Sequence, residues 1–174
     1  SIEIYIVIPI DIKKYTKEYW ELIIILDYMF DFDKGPFYKK LRNKEKIIYS
    51  IGYTININSI DSNKSLLVIN SFTEDNNLKK FLKYFDKLFK SVKMNNNIFL
   101  EIKNKILFKI NKNNMVYHDD CLDYYLNNLL YNIKITYDDN LNNLKRAKNN
   151  KNLLIKLKKI KYFIFLLNKN YKKI

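Results

Sequence analysis

The chain is poor in the residues that build several common kinds of site. Its 174 residues include only two glycines and two prolines, which excludes collagen-like, linker-like and glycine-rich repeat proteins. No G-x-x-x-x-G-K-[ST] loop, G-x-G-x-x-G loop or G-x-S-x-G elbow occurs. The sequence therefore argues against a phosphate-loop nucleotide-binding domain and against a hydrolase built on a nucleophile elbow.

Histidine and cysteine occur once each, as His118 and Cys121. The two residues could share one face of a helix, but a zinc site needs three or four protein ligands. Neither H-x-x-E-H nor H-E-x-x-H can form, so we expect residues 1–174 alone to bind no zinc and to cleave no peptide. A single cysteine also allows no internal disulfide, which favours an intracellular, reducing compartment (cytosol or organelle matrix) over secretion.

Long apolar runs are missing as well. The longest, Leu22–Leu26 and Tyr162–Leu167, fall far short of the roughly 20 residues that cross a bilayer, so we expect no membrane span. The sequence opens at Ser1, inside a segment whose pattern indicates a strand, and shows no targeting segment. We therefore expect it to be a piece of a longer protein.

Lysine, isoleucine and asparagine supply 81 of the 174 residues, whereas arginine occurs twice and alanine once. All three frequent residues have codons made of A and T alone, so the bias indicates an AT-rich genome. A surface selected to bind phosphate is expected to be rich in arginine, whose guanidinium makes two hydrogen bonds to one phosphate. This chain instead has 30 lysines and only two arginines. The net charge of +14 is therefore weak evidence for a basic nucleic-acid-binding module, the least favoured interpretation.

Hydrophobic periodicity predicts a single α+β domain over residues 1–174. The predicted strands are 3–9, 46–58 and 65–72, and the predicted helices are 16–30, 36–42, 78–92, 98–110, 119–131, a short helix capped by Thr136, and 153–167. Thr73 is predicted as the N-cap of helix 78–92, with Glu74 near the helix dipole. Antiparallel strands and segregated helices predict an antiparallel sheet with helices packed on one face, and residues 133–174 are predicted to form a helical C-terminal extension.

One segment, GPFYKKLRNKEKIIYSIGY (35–53), is unusual because it contains one of the two arginines. Arg42 is predicted at the end of a short helix, and Tyr49 follows seven residues later on the next strand. In a structural interpretation, Arg42 caps helix carbonyls and Tyr49 is a core residue. An arginine that survives such codon bias favours a specific role instead, and the residues alone leave both interpretations open.

The stretch LRNKEKIIYSIGY (41–53) resembles the L-R-x-K-E-x-x-x-Y segment in the C-terminal part of pitrilysin/insulinase-type metallopeptidases. The surrounding order is also similar: a strand, a long buried helix, a short helix, this segment, a strand pair, and Ser71-Phe72-Thr73-Glu74 leading into a helix. The similarity extends over about residues 2–165 by pattern and is sharp over 35–53. It implies an insulinase-type, metallopeptidase-like half-domain.

The resemblance further implies the substrate-binding, non-zinc domain of a zinc metalloendopeptidase. Zinc would be bound outside this chain, on an N-terminal domain or a partner subunit, while Arg42 and Tyr49 would hold the carbonyl of a peptide substrate and its oxyanion. Ile48 departs from the family, which often has glycine before the tyrosine. The alternative is a catalytically inactive scaffold subunit of the same family, like the respiratory-complex core proteins that resemble it.

Overall fold

The structure, a computed structural model, describes residues 1–32, 34–57, 64–113, 126, 129–130 and 134–168. The strands are β1 (Ile2–Ile10), β2 (Ser50–Ile57), β3 (Ser65–Thr73) and β4 (Phe163–Asn168). The helices are α1 (Lys17–Phe30), α2 (Pro36–Tyr38), α3 (Leu78–Ser91), α4 (Asn96–Asn113), α5 (Tyr137–Arg146) and α6 (Lys151–Lys159). A π-helical turn (Lys39–Lys44) continues α2, and a 3₁₀ turn (Asp75–Asn77) precedes α3. Most of the predicted helix 119–131, together with His118 and Cys121, lies outside the described residues.

The four described strands form one antiparallel sheet in the order β2-β3-β1-β4. Alternation in β1 buries Ile4, Ile6 and Ile8 in one core with the helix residues Phe81 and Phe85. The residues between these isoleucines lie on the other face of the sheet and are half-buried. The predicted α+β class, with an antiparallel sheet, is confirmed.

Helix α1 is the central helix that the sequence predicts. Thr16 caps it, because its Oγ1 accepts a hydrogen bond from the Tyr19 N–H at 3.2 Å. The helix contacts α2, α4, α5 and α6, which explains why its apolar residues surround it on nearly every side. Trp20 anchors it to α5, since its indole Nε1–H donates to Asn140 Oδ1 at 2.8 Å.

The start of α3 differs from the prediction. Thr73 is the last residue of β3 and is fully buried, and its hydroxyl donates to the Ile47 carbonyl. Its side chain is therefore engaged across the sheet, and the predicted N-cap is wrong. The helix begins at Leu78 and buries Phe81, Phe85 and Phe89 along one face, as the i, i+4 spacing predicts.

The C-terminal half of the predicted helix 153–167 is wrong. Helix α6 ends at Lys159, and Phe163–Asn168 form β4, which pairs with the free side of β1 so that Ile6 lies opposite Ile164. Thr136, by contrast, caps α5 as predicted, in a capping box with Asp139. Helix α4 extends to Asn113, three residues past the predicted end at 110.

Candidate functional site

The turn that carries Arg42 begins at Gly35 and Pro36. A Cβ on Gly35 would lie 2.7 Å from the backbone N and O of Asp31, so only glycine fits this close approach. Pro36 then occupies the first position of α2, where its missing N–H costs nothing. The chain continues into the π-helical turn, whose last part contains Arg42.

Glu45 ties this turn to α3. Its carboxylate lies 2.7 Å from Lys40 Nζ within the same turn and 3.2 Å from Lys80 Nζ on α3. Hydrogen bonds from Lys40, and then from Lys80, lower the pKa of Glu45 from 4.5 to about 2. The end of the turn that carries Arg42 is therefore joined to α3 through Glu45.

The segment between this turn and β2 is irregular, so the strand begins at Ser50, four residues after the predicted start. Lys46 has a φ of 53°, in the left-handed region, which prevents a strand from starting there. Ile47 and Ile48 are then both buried, which breaks the predicted alternation. Tyr49 follows with 52% of its surface exposed, which differs from the core position of the structural interpretation.

The structure brings Arg42 and Tyr49 together. The Arg42 guanidinium carbon lies 5.9 Å from the centre of the Tyr49 ring. The same guanidinium donates through Nη1 to the Ile48 carbonyl at 3.0 Å, while the Tyr49 N–H donates to the Phe72 carbonyl at 2.9 Å. Arg42 thus satisfies a carbonyl just before β2, a structural role that differs from the predicted cap on its own helix.

Glu74 completes the group and was missed as a site residue by sequence reasoning. The Tyr49 hydroxyl donates to Glu74 Oε1 at 2.8 Å, directly after the end of β3. This hydrogen bond and the negative charge of Glu74 raise the pKa of Tyr49, while the charge of Arg42 acts in the opposite direction. The available signal was the Ser71–Glu74 segment, which the family resemblance already included.

Arg42 and Tyr49 can donate hydrogen bonds to a neutral or anionic oxygen, but together with Glu74 they do not form a metal site. The guanidinium and the phenol are hydrogen-bond donors, and both lie beside β2, an edge strand among those described. Within the described ranges, no group of three or more His, Cys, Asp or Glu residues could hold a metal ion, so zinc does not fit these residues. No described helix is both long enough and apolar enough to cross a membrane.

The sequence matches a known protein family over more than half of its length. The sequence profile of the peptidase M16 inactive domain matches residues 2–106, a range that includes Arg42, Tyr49 and Glu74. No curated protein matches the sequence.

Three solved structures have the same fold at low sequence identity. A protein from Yersinia pestis, predicted to be an insulinase family protease, superposes with a TM-score of 0.70 at 13% identity, covering 100% of this chain and 41% of its own. A peptidase M16 inactive domain from Pseudomonas fluorescens gives 0.68 at 12%, covering 95% and 41%. A chain of complex III2 from Candida albicans gives 0.68 at 12%, covering 95% and 42%.

The chain thus spans about two fifths of the length of these solved chains. At such identities the superpositions establish the fold, whereas the sequence profile covers more than half of the chain. The chain therefore belongs to the peptidase M16 inactive-domain family, of the insulinase/pitrilysin type.

Proposed function

We propose that this chain is the substrate-binding, non-zinc domain of a zinc metalloendopeptidase. In this proposal, Arg42 and Tyr49 hold the carbonyl of a bound peptide against a zinc site carried by another domain or a partner subunit. The family implies that zinc is bound elsewhere in the parent protein. The single cysteine supports a reducing compartment as the place of action.

The observation that carries the proposal is the pairing of the Arg42 guanidinium with the half-exposed Tyr49 ring, 5.9 Å apart beside an edge strand. A tyrosine needed only for packing would have its ring buried, as Phe37 and Phe85 do nearby. A half-buried guanidinium beside an exposed phenol supplies the two neighbouring donors that a carbonyl-binding site requires.

The chemistry assigned to the two side chains is hydrogen-bond donation. Both can donate to the oxygen of a scissile carbonyl, and both bonds strengthen as negative charge develops on that oxygen. To act, the Tyr49 hydroxyl must turn from Glu74 to the substrate, so Glu74 holds the hydroxyl in place until the peptide binds.

The test combines this chain with the zinc-bearing part of its parent protein and measures peptide hydrolysis. Tyr49→Phe removes one hydrogen-bond donor and keeps the aromatic ring. Arg42→Lys keeps the positive charge but loses the planar guanidinium, which can donate two parallel hydrogen bonds. Loss of one transition-state donor costs about 2.7–4 kcal/mol, so we expect kcat to fall by about 100-fold or more with little change in melting temperature.

Tyr38→Phe is a matched control, because Tyr38 is buried in the same turn region and has no part in the proposal. It should leave kcat per folded molecule unchanged. Wild-type kcat in both Tyr49→Phe and Arg42→Lys, with lowered melting temperatures, would mean that the two residues serve only to hold the start of β2.

A second candidate is a catalytically inactive scaffold subunit of the same family. The superposition on a chain of complex III2 from Candida albicans supports it, because that chain is one component of a larger complex. An intact H-x-x-E-H motif elsewhere in the parent protein would favour the peptidase, and the lack of that motif would favour the scaffold. Reading the open reading frame around this chain decides between them.

A further inference from the structure

A cavity of about 510 Å³ lies away from the Arg42–Tyr49 group, between the start of α4 and the end of α5. Phe99, Leu100 and Lys103 line it from α4. The other wall is the end of α5 with the loop that leads to α6, residues 145–149. Since Arg42, Tyr49 and Glu74 do not line it, the cavity is a separate candidate site.

Four cationic residues and no carboxylate line this cavity, namely Lys103, Lys145, Arg146 and Lys148. Among the described residues none of the four forms a salt bridge, whereas Lys40 and Lys80 near the other site share Glu45. Like charges around one cavity without a counter-charge repel one another, and a bound anion reduces that repulsion.

The cationic wall is held in place by hydrogen bonds. Lys103 Nζ donates to the carbonyl of Ala147 at 2.9 Å and to that of Lys145. Asn149 Nδ2 donates to the Met94 carbonyl at 3.0 Å, which ties the loop to the start of α4. Burial, and then the positive charge of Lys148, lowers the pKa of Lys103. Hydrogen bonds therefore hold both walls of the cavity together, while Arg146 and Lys148 remain exposed at its rim.

Arg146 distinguishes this cluster from the lysines scattered over the rest of the surface. It is one of only two arginines in a chain with 30 lysines, so codon bias does not explain it. The cavity also has an apolar side, because Phe99 closes its floor and Leu100 is half-exposed on its wall. A ligand that fits carries several negative charges together with apolar groups.

We propose that this cavity binds acidic peptide segments in which carboxylates alternate with apolar side chains. Phosphate groups usually bind to converging backbone N–H groups, whereas here the two loop carbonyls face Lys103 and the charges come from side chains. A peptide brings several carboxylates to the rim and an apolar side chain to Leu100. This site does not depend on the proposed role of Arg42 and Tyr49.

The test measures binding of a fluorescent peptide of alternating Glu and Leu to the 174-residue chain by anisotropy. Arg146→Gln combined with Lys148→Gln is compared with Lys83→Gln combined with Lys87→Gln, an equal change in charge on the exposed side of α3. We expect about three- to tenfold weaker binding from the cavity pair and less than twofold from the control pair. A peptide with Gln in place of Glu should not bind.

Three results would overturn the proposal: no binding of the acidic peptide, equal losses in both variant pairs, or equal affinity for the Gln peptide. Tighter binding of oligodeoxythymidylate than of the peptide, lost in the same cavity pair, would assign the cavity to nucleic acid instead. The two sites share no lining residue, so a loss of affinity confined to the cavity pair assigns the binding to the cavity and not to the carbonyl-binding site. Thermal unfolding verifies that every variant is folded.

Discussion

Glu21 offers the sharpest test of how the helical layer is held together. It lies near the start of α1 and is only 1% exposed. Its carboxylate accepts hydrogen bonds from the Lys148 N–H at 3.1 Å and from Asn150 Nδ2 at 2.8 Å, and it lies 2.7 Å from Lys17 Nζ. One buried carboxylate thus joins the central helix to the loop between α5 and α6.

Replacing Glu21 with leucine keeps the helix and removes the acceptor. Two hydrogen bonds to a charged group are lost, about 1.5–3 kcal/mol each, and the half-exposed Lys17 pair adds little. The buried leucine returns about 1.5–3 kcal/mol, so the middle of the two ranges gives a net destabilisation of about 2 kcal/mol. Glu21→Gln, which keeps one acceptor oxygen, should lose about 1 kcal/mol.

Urea denaturation followed by circular dichroism measures both variants. Glu101→Gln is the control, because Glu101 forms an exposed ion pair with Lys105 at 2.8 Å and should change stability by less than about 0.5 kcal/mol. If Glu21→Leu unfolds within that same margin of the wild type, the reasoning about the α1 connection is refuted.

Three further predictions concern titration. Burial raises the pKa of Asp27, and its hydrogen bond from the Tyr53 hydroxyl at 2.5 Å opposes that effect, so Tyr53→Phe should raise the Asp27 pKa further in a carbon-13 NMR titration. The depressed pKa of Glu45 means that its contribution to stability is complete above pH 4.5 and is lost as the pH falls towards about 2. Glu45→Gln should therefore flatten the fall in the urea midpoint across that window, and an unchanged slope would contradict the Lys40–Glu45–Lys80 contact. Glu74→Gln weakens the hydrogen bond and removes the charge that together raise the Tyr49 pKa, so the tyrosine should titrate at lower pH by NMR, and an unshifted value would exclude the contact.

The elements with one strong local pattern were predictable from the sequence. The 3.6-residue spacing of Phe81, Phe85 and Phe89 gives α3, and the side chain of Thr16 marks the start of α1. β4 was not predictable, because Phe163–Leu167 are all apolar and an unbroken apolar run has no period. This segment becomes a strand because it pairs with the side of β1 that β3 leaves open, which is a long-range contact.

The candidate site was predictable in part. Arg42 and Tyr49 are close in sequence and are joined by one turn and one strand, so the L-R-x-K-E-x-x-x-Y pattern was enough to select both. Glu74 is 25 residues beyond Tyr49 and reaches it only because β2 and β3 pair. Thr73 was assigned to a helix cap because cap rules are local, whereas its partner, the Ile47 carbonyl, comes from another part of the chain.

The position of β1 in the middle of the sheet affects how the chain folds during synthesis. Ile6 pairs with Ile69 and with Ile164, which follow it by 63 and 158 residues. At about 5–20 residues per second, a ribosome needs about 8 to 30 s to make the second partner available. During that interval an isoleucine-rich strand has at least one unpaired edge, and such long-range contacts make folding slow. Nascent chains should therefore depend on chaperones until β4 has been synthesised.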